Sequence, residues 1–232
     1  MIVLMRLYPK EKGDAEKIWE YVERKFSSRS ADRKVKPLFL SMQTRARFVS
    51  LFLDVEDNDS IADVLVEEIG DCVEVSDTRT FSLLKMSFIP TPKEKPKLLK
   101  RYSVMLKVRP KDYRTVLAQI RDLKPGVGVY ATFVAFLLGD YDMILSMCST
   151  SQEKVRAFVA QNVWKIEGVE DVKIFPIQKS RRLMTADDWR RFQRAHLYVP
   201  SWVTDEVKDT YAFMFFLTEE DICVSGAMKS ES

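Results

Sequence analysis

Residues able to do chemistry are scarce in this chain, and the most suggestive group is the run Gly139-Asp140-Tyr141-Asp142. A glycine turn exposes backbone N–H donors, and an adjacent carboxylate supplies a fixed anion. Together they could hold the ammonium and carboxylate of a small zwitterion. The alternative is purely local, a polar hairpin turn whose carboxylates bond backbone N–H groups. His196 is the one histidine, so it could ligate a metal only where a single imidazole suffices. The adjacent pairs Glu67-Glu68 and Glu219-Glu220 would diverge on a helix and make no general acid–base pair. Arg181, Arg182, Arg190, Arg191 and Arg194, interleaved with Trp189 and Phe192, could touch phosphates. They could equally be the solvated side of a helix whose apolar stripe docks on the body.

Composition narrows the field further. The 232 residues carry 37 basic and 34 acidic side chains, a near balance that gives no bulk attraction to nucleic acid. Seven glycines, with no group of several closely spaced, leave no phosphate-cradling loop. Cys72, Cys148 and Cys223 are far apart among apolar residues, which reads as free thiols and excludes a Cys-x-x-Cys zinc site. No metal site and no cofactor are expected. The longest apolar run, Val127 to Leu138, is too short to cross a bilayer, and no signal-peptide pattern opens the chain, so a cytoplasmic protein without a membrane partner is expected.

The elements that would position these residues are written twice. Val3-Leu4-Met5-Arg6-Leu7-Tyr8-Pro9-Lys10-Glu11 recurs in type as Val104-Met105-Leu106-Lys107-Val108-Arg109-Pro110-Lys111-Asp112. The repeat is a domain-length unit rather than a solenoid period. In the first copy, a strand at Ile2–Tyr8 precedes a helix from Asp14 through Phe26. The stretch Leu38 to Leu40 is undefined, Arg47–Val55 alternates as a strand, Asp57 to Ser60 caps a helix reaching Ile69, and Thr80–Ile89 is a strand. The second copy reads as strand Tyr102–Val108, a helix after Asp112, a hairpin of Val127–Leu138 and Tyr141–Cys148, a helix from Ser149, and strand Val172–Ile177. The predicted fold is α+β, two tandem ferredoxin-like βαββαβ units of the dimeric αβ-barrel type with a C-terminal extension. The expected boundaries are residues 1–90, a linker at 91–99 with two prolines and three lysines, residues 100–180, and a helical extension at 181–232 opened by the Thr185/Asp188 cap.

In this order, Gly139-Asp140-Tyr141-Asp142 at the start of the hairpin return and Ile166-Glu167-Gly168-Val169 at the end of the last helix resemble the ligand-binding domain of Lrp/AsnC regulators. The resemblance covers Arg101 to Ile177, whereas the first copy has Gln43-Thr44-Arg45-Ala46 in place of the turn. It implies a regulatory protein that binds an amino-acid-like effector through Gly139, Asp140, Tyr141 and Asp142. It also implies homo-oligomers and an action on transcription through a partner. The helix-turn-helix domain of that family has no counterpart before Val104, so direct DNA contact is not expected. Tandem chains of this length also resemble chlorite dismutase and coproheme decarboxylase, where an iron-binding histidine lies on a helix of the C-terminal unit. That resemblance implies a haem-binding or small-molecule enzyme; His196, the only imidazole, falls after that unit at the end of a helix, where a surface or C-capping role is the alternative.

Overall fold

The computed structural model describes residues 1–27, 34–44, 47–96 and 98–213. The first half runs β1 (Ile2–Pro9), α1 (Asp14–Ser27), β2 (Val35–Gln43), β3 (Val49–Val55), α2 (Asn58–Asp63, continued by a π-helical turn at Val64–Ile69) and β4 (Val75–Phe88). A two-residue strand β5 (Thr91–Pro92) leads into the second half. There follow β6 (Lys100–Val108), α3 (Tyr113–Arg121), β7 (Val129–Leu138), β8 (Met143–Ser149), α4 (Gln152–Phe158, with a π-helical turn at Val159–Val163) and β9 (Val169–Arg182). After it come α5 (Ala186–Ala195) and β10 (Tyr211–Ala212), which pairs with β5. Both halves are βαββαβ, and both end their second helix in a π turn, a shared irregularity that speaks for duplication.

The eight long strands close one barrel in the order β1-β3-β2-β9-β6-β8-β7-β4. Every neighbouring pair is antiparallel, so β1 and β6 stand opposite each other and run the same way. The halves are thus related about the barrel axis, and each sheet covers the face the other would leave open. Two seams join them. Residues Phe39 to Gln43 of β2 pair with Arg182 to Ile177 of β9, and Ser82 to Phe88 of β4 pair with Leu138 to Phe133 of β7. The seam with β2 explains why β9 runs past Ile177, its C-terminal end being held there, whereas β4 exceeds its apolar pattern at the N-terminal end, where Val75 to Arg79 pair with β1. The same seam also explains β2, whose Pro37 and bulge obscure any alternation in sequence.

Strand alternation sorts side chains into three layers. On β1, Val3, Met5 and Leu7 pack under α1, against Ile18, Trp19, Val22 and Phe26. The second half repeats this with Val104, Leu106 and Val108 under Val116, Leu117 and Ile120 of α3. The alternate residues Ile2 and Leu4 join Phe81, Leu83, Met105, Ala135 and Ile144 inside the barrel. Burying each large apolar side chain contributes about 1.5–3 kcal/mol, so strands apolar on both faces are the main source of stability. Cys72 and Cys148 are both buried, and Cys223 lies outside the described residues. No helix among the described residues is long and apolar enough to cross a membrane.

Candidate functional site in the barrel interior

The barrel encloses two adjoining chambers. One, of about 90 Å³, lies under α5 and is walled by Phe39, Phe52, Met86, Phe88, Phe133, Trp189 and Phe192, with Arg101, Thr132 and Ser146 as its polar groups. The other, of about 50 Å³, lies further along the axis among Arg6, Ser41, Phe48, Ser50 and Ser103. Phe39, Phe52, Arg101 and Ser146 line both, so the interior is one apolar space with a few placed polar side chains.

Helix α5 closes one end. Thr185 caps it as expected, its Oγ1 accepting from the Asp188 N–H at 3.1 Å. Helical spacing then puts Trp189 and Phe192 on one face. Trp189 stacks on Phe39 (6.4 Å between centroids) and meets Phe88 edge-on at 5.6 Å. The segment after the helix is pinned to the end of β4: the Phe88 N–H donates to the His196 carbonyl at 2.8 Å and the Tyr198 N–H to the Phe88 carbonyl at 2.9 Å.

A polar row crosses four strands. Arg6 pairs in register with Ser50, Ser50 with Ser41, and Ser41 with Ser180, and all four are buried. Arg101 reaches the row from β6, donating from Nη1 to Ser180 Oγ at 3.2 Å while its guanidinium sits 5.0 Å from the Phe39 ring. Arg6 is only 4% exposed. Its guanidinium carbon lies 4.5, 5.1 and 5.4 Å from the ring centres of Phe48, Phe81 and Phe175. Burial pushes this guanidinium below its ordinary range, opposed by the Tyr8 hydroxyl. Its Nε has no hydrogen-bond partner.

The end opposite α5 is lined by polar aromatic and cationic side chains. Arg79 lies over Tyr8 at 5.5 Å and pairs with Asp140 at 2.5 Å. The Lys107 and Lys173 ammonium groups lie 6.0 and 5.5 Å from the Tyr141 ring centre. A bond with Tyr141 raises Lys173 above its usual value.

The Gly139–Asp142 turn is divided among three surroundings. Gly139 has φ +153°, and a Cβ there would come within 2.5 Å of the Phe81 ring, so glycine is required. Asp140 is exposed on its Arg79 pair, and Tyr141 packs on the barrel-interior cluster. Asp142 accepts from the Val108 N–H at 2.9 Å and from the Tyr113 hydroxyl at 2.7 Å, which keeps Tyr113 protonated to higher pH than usual. Gly139 and Asp142 border an open groove of about 920 Å³ beside α3, outside the barrel. His196 lies at the C-terminal end of α5 with its ring edge-on to Phe192 at 5.0 Å, and it lines neither chamber. The arginine cluster disperses: Arg181 pairs with Glu23, Arg182 donates to the Met184 carbonyl, and Arg190 pairs with Asp187.

Arg6 is the side chain that motif reading passed over, although it stands in the repeated segment itself. One signal was available: a lone cation at an inward-alternating position of an otherwise apolar strand, matched by Lys107 in the second copy.

No family model matches this chain, and no curated protein does. Solved structures do. An anthrone oxidase-like protein aligns with a TM-score of 0.53 at 9% identity, over 79% of this chain and 93% of that one. The siroheme decarboxylase NirDL, in complex with an iron-uroporphyrin III analogue, aligns with a TM-score of 0.53 at 10% identity, over 79% of this chain and 72% of that one. The likeness is one of fold. It upholds the tandem ferredoxin-like α+β barrel and corrects the Lrp/AsnC assignment, since these two structures are an oxidase-like protein and a decarboxylase. The regulatory function with an amino-acid effector and a transcriptional partner falls with it. The physical reason for the misreading lies in Asp142, whose acceptors serve β6 and α3 of its own half.

Proposed function

We propose that this protein is a small-molecule enzyme of the dimeric αβ-barrel type, and that its substrate, a compact and largely apolar organic molecule, sits inside the barrel. The observation that carries this is the closed interior, aromatic-walled and furnished with buried guanidinium and hydroxyl groups. The fold relatives support the class: one is described as anthrone oxidase-like and the other as a siroheme decarboxylase, names that speak for chemistry on organic ring systems. Both chambers are complete within one chain, so any homo-oligomer is additional to the site.

A haem or other tetrapyrrole does not fit the residues present. The sole imidazole, His196, lines neither chamber, and the chambers of about 90 and 50 Å³ are filled around by phenylalanine rings. Drug-sized ligands occupy pockets of about 300–1,000 Å³. The substrate is therefore smaller, of the order of one or two rings. Addition of hemin should produce no Soret band, and one that depends on His196 would reverse this conclusion.

The test is a thermal-shift and fluorescence screen of one- and two-ring aromatic compounds, followed by mass spectrometry of the hits after incubation. Binding should quench the emission of Trp189, which forms the chamber wall, and the quenching should vanish in Trp189→Phe. Absence of both binding and turnover across the screen would remove the proposal.

A further inference from the structure

We infer that Arg6 is the anion anchor of the barrel, and that the substrate is an organic acid whose carboxylate docks on this guanidinium while its apolar body lies toward Trp189. The inference deepens the reading above and rests on it. Arg6 is a cation held out of water with no ion pair to any carboxylate among the described residues. Of the acids at the open end, Asp140 is engaged by Arg79, and Asp171 lies by Lys173. Burying a charge without a counter-ion is costly, and proteins that keep one there usually pair it. Three phenylalanine rings facing the guanidinium and the Tyr8 hydroxyl offset part of that cost, yet neither is a counter-ion, and Nε remains without a partner. A planar fork of donors fits a carboxylate with two parallel bonds. The Ser50 hydroxyl stands next to Arg6 on the neighbouring strand and can add a third donor, with Ser41 one strand further along the same row.

The layout orders the ligand along the barrel axis. The anion subsite lies toward the end lined by Tyr8, Lys107, Tyr141 and Lys173, while the aromatic chamber lies toward α5. Cations at that open end would draw an acid inward, and Trp189 would receive its hydrophobic part.

The experiment compares benzoate, phenylacetate and indole-3-acetate with their uncharged amides, by calorimetric titration of the wild-type chain and of Arg6→Met and Arg6→Lys. In the wild type each acid should bind at least tenfold more tightly than its amide. Arg6→Met should abolish that preference while leaving amide affinity within about threefold, and Arg6→Lys should restore part of it. Equal binding of acid and amide by the wild type would overturn the anchor yet leave the small-molecule reading standing. Retention of the acid preference in Arg6→Met would do the same. Binding of neither series would defeat both. The wild-type comparison needs no variant, so the inference stays testable even if Arg6→Met fails to fold.

Discussion

The two ends of this barrel are built from the same repeated strands and have opposite characters. At one end, α5 lays Trp189 and Phe192 over Phe39 and Phe88, and the polar backbone beneath is satisfied by the strap from His196 to Tyr198. At the other, β1 and β6 finish on opposite sides of the barrel, and their matched cations, Arg6 and Lys107, lie beside Tyr8 and Tyr141. Duplication supplied the second cation, but its environment differs: Arg6 is buried, whereas Lys107 is half-exposed beside Tyr141. A closed barrel thus acquires a direction along its axis, apolar at one end and cationic at the other. For a ligand with an acid group and an apolar body, that direction is the basis of recognition.

The apolar end gives the largest expected effect. Trp189→Ala removes a buried indole packed on three phenylalanines, and should cost about 3–5 kcal/mol in urea unfolding. A loss under 1 kcal/mol would mean that α5 rests on the barrel without sealing it, and the contrast between the ends would shrink.

The rim of the open end depends on Asp142. Its carboxylate holds the last N–H of β6 and the first residue of α3, so Asp142→Ala strands a partly buried donor and frees a phenol. About 2–3 kcal/mol should be lost, and Asp142→Asn, which keeps an acceptor, should recover part of it. No loss on Asp142→Ala would show that the turn is held by Gly139 against Phe81 alone.

This carboxylate shows what was legible beforehand and what was not. The strand–helix order of both halves, the caps at Asp57 and Thr185 and the apolar helix stripes are local patterns, readable from spacing. The partner of Asp142 is a backbone N–H 34 residues away, and that pairing comes from the β6–β8 register rather than from any motif. The same holds for α5: its stripe was visible, but its seat over a barrel end depends on where β4 and β9 finish. Arg6 was hidden by convention, because a single charge in an apolar strand reads as a break in the pattern rather than as a residue facing an enclosed space.

Arg6 and Lys107 allow a direct comparison of the two copies. If Arg6 is kept for an anion, the empty barrel carries an uncompensated buried charge, and Arg6→Met should leave stability unchanged or raise it by about 1–2 kcal/mol. Lys107→Met, at a half-exposed site, should change it by less than about 0.5 kcal/mol. Chemical denaturation of the ligand-free variants checks both. A loss beyond about 2 kcal/mol in Arg6→Met would instead make the guanidinium a structural hub for Phe48, Phe81 and Phe175.

A further effect, smaller than those of Trp189, Asp142 and Arg6, concerns the strap at the sealed end. Burial against Phe192 lowers the His196 imidazole below its ordinary value, with Asp54 opposing the shift. The folded chain therefore takes up this proton at lower pH than the unfolded chain, whose histidine titrates near 6.5. Above that pH both states are neutral and the contribution to stability is complete. As pH falls through about 6.5, the unfolded state gains a proton first, and stability declines until the folded state's lower value is passed. Because the ring is only half-buried, the decline should stay under about 1 kcal/mol. Unfolding of wild type and His196→Gln at about pH 8 and about pH 5.5 isolates it, since carboxylate titrations are common to both proteins. A wild type that loses no more than His196→Gln over this range would place the imidazole in water. The seal would then consist of Trp189 and Phe192 alone.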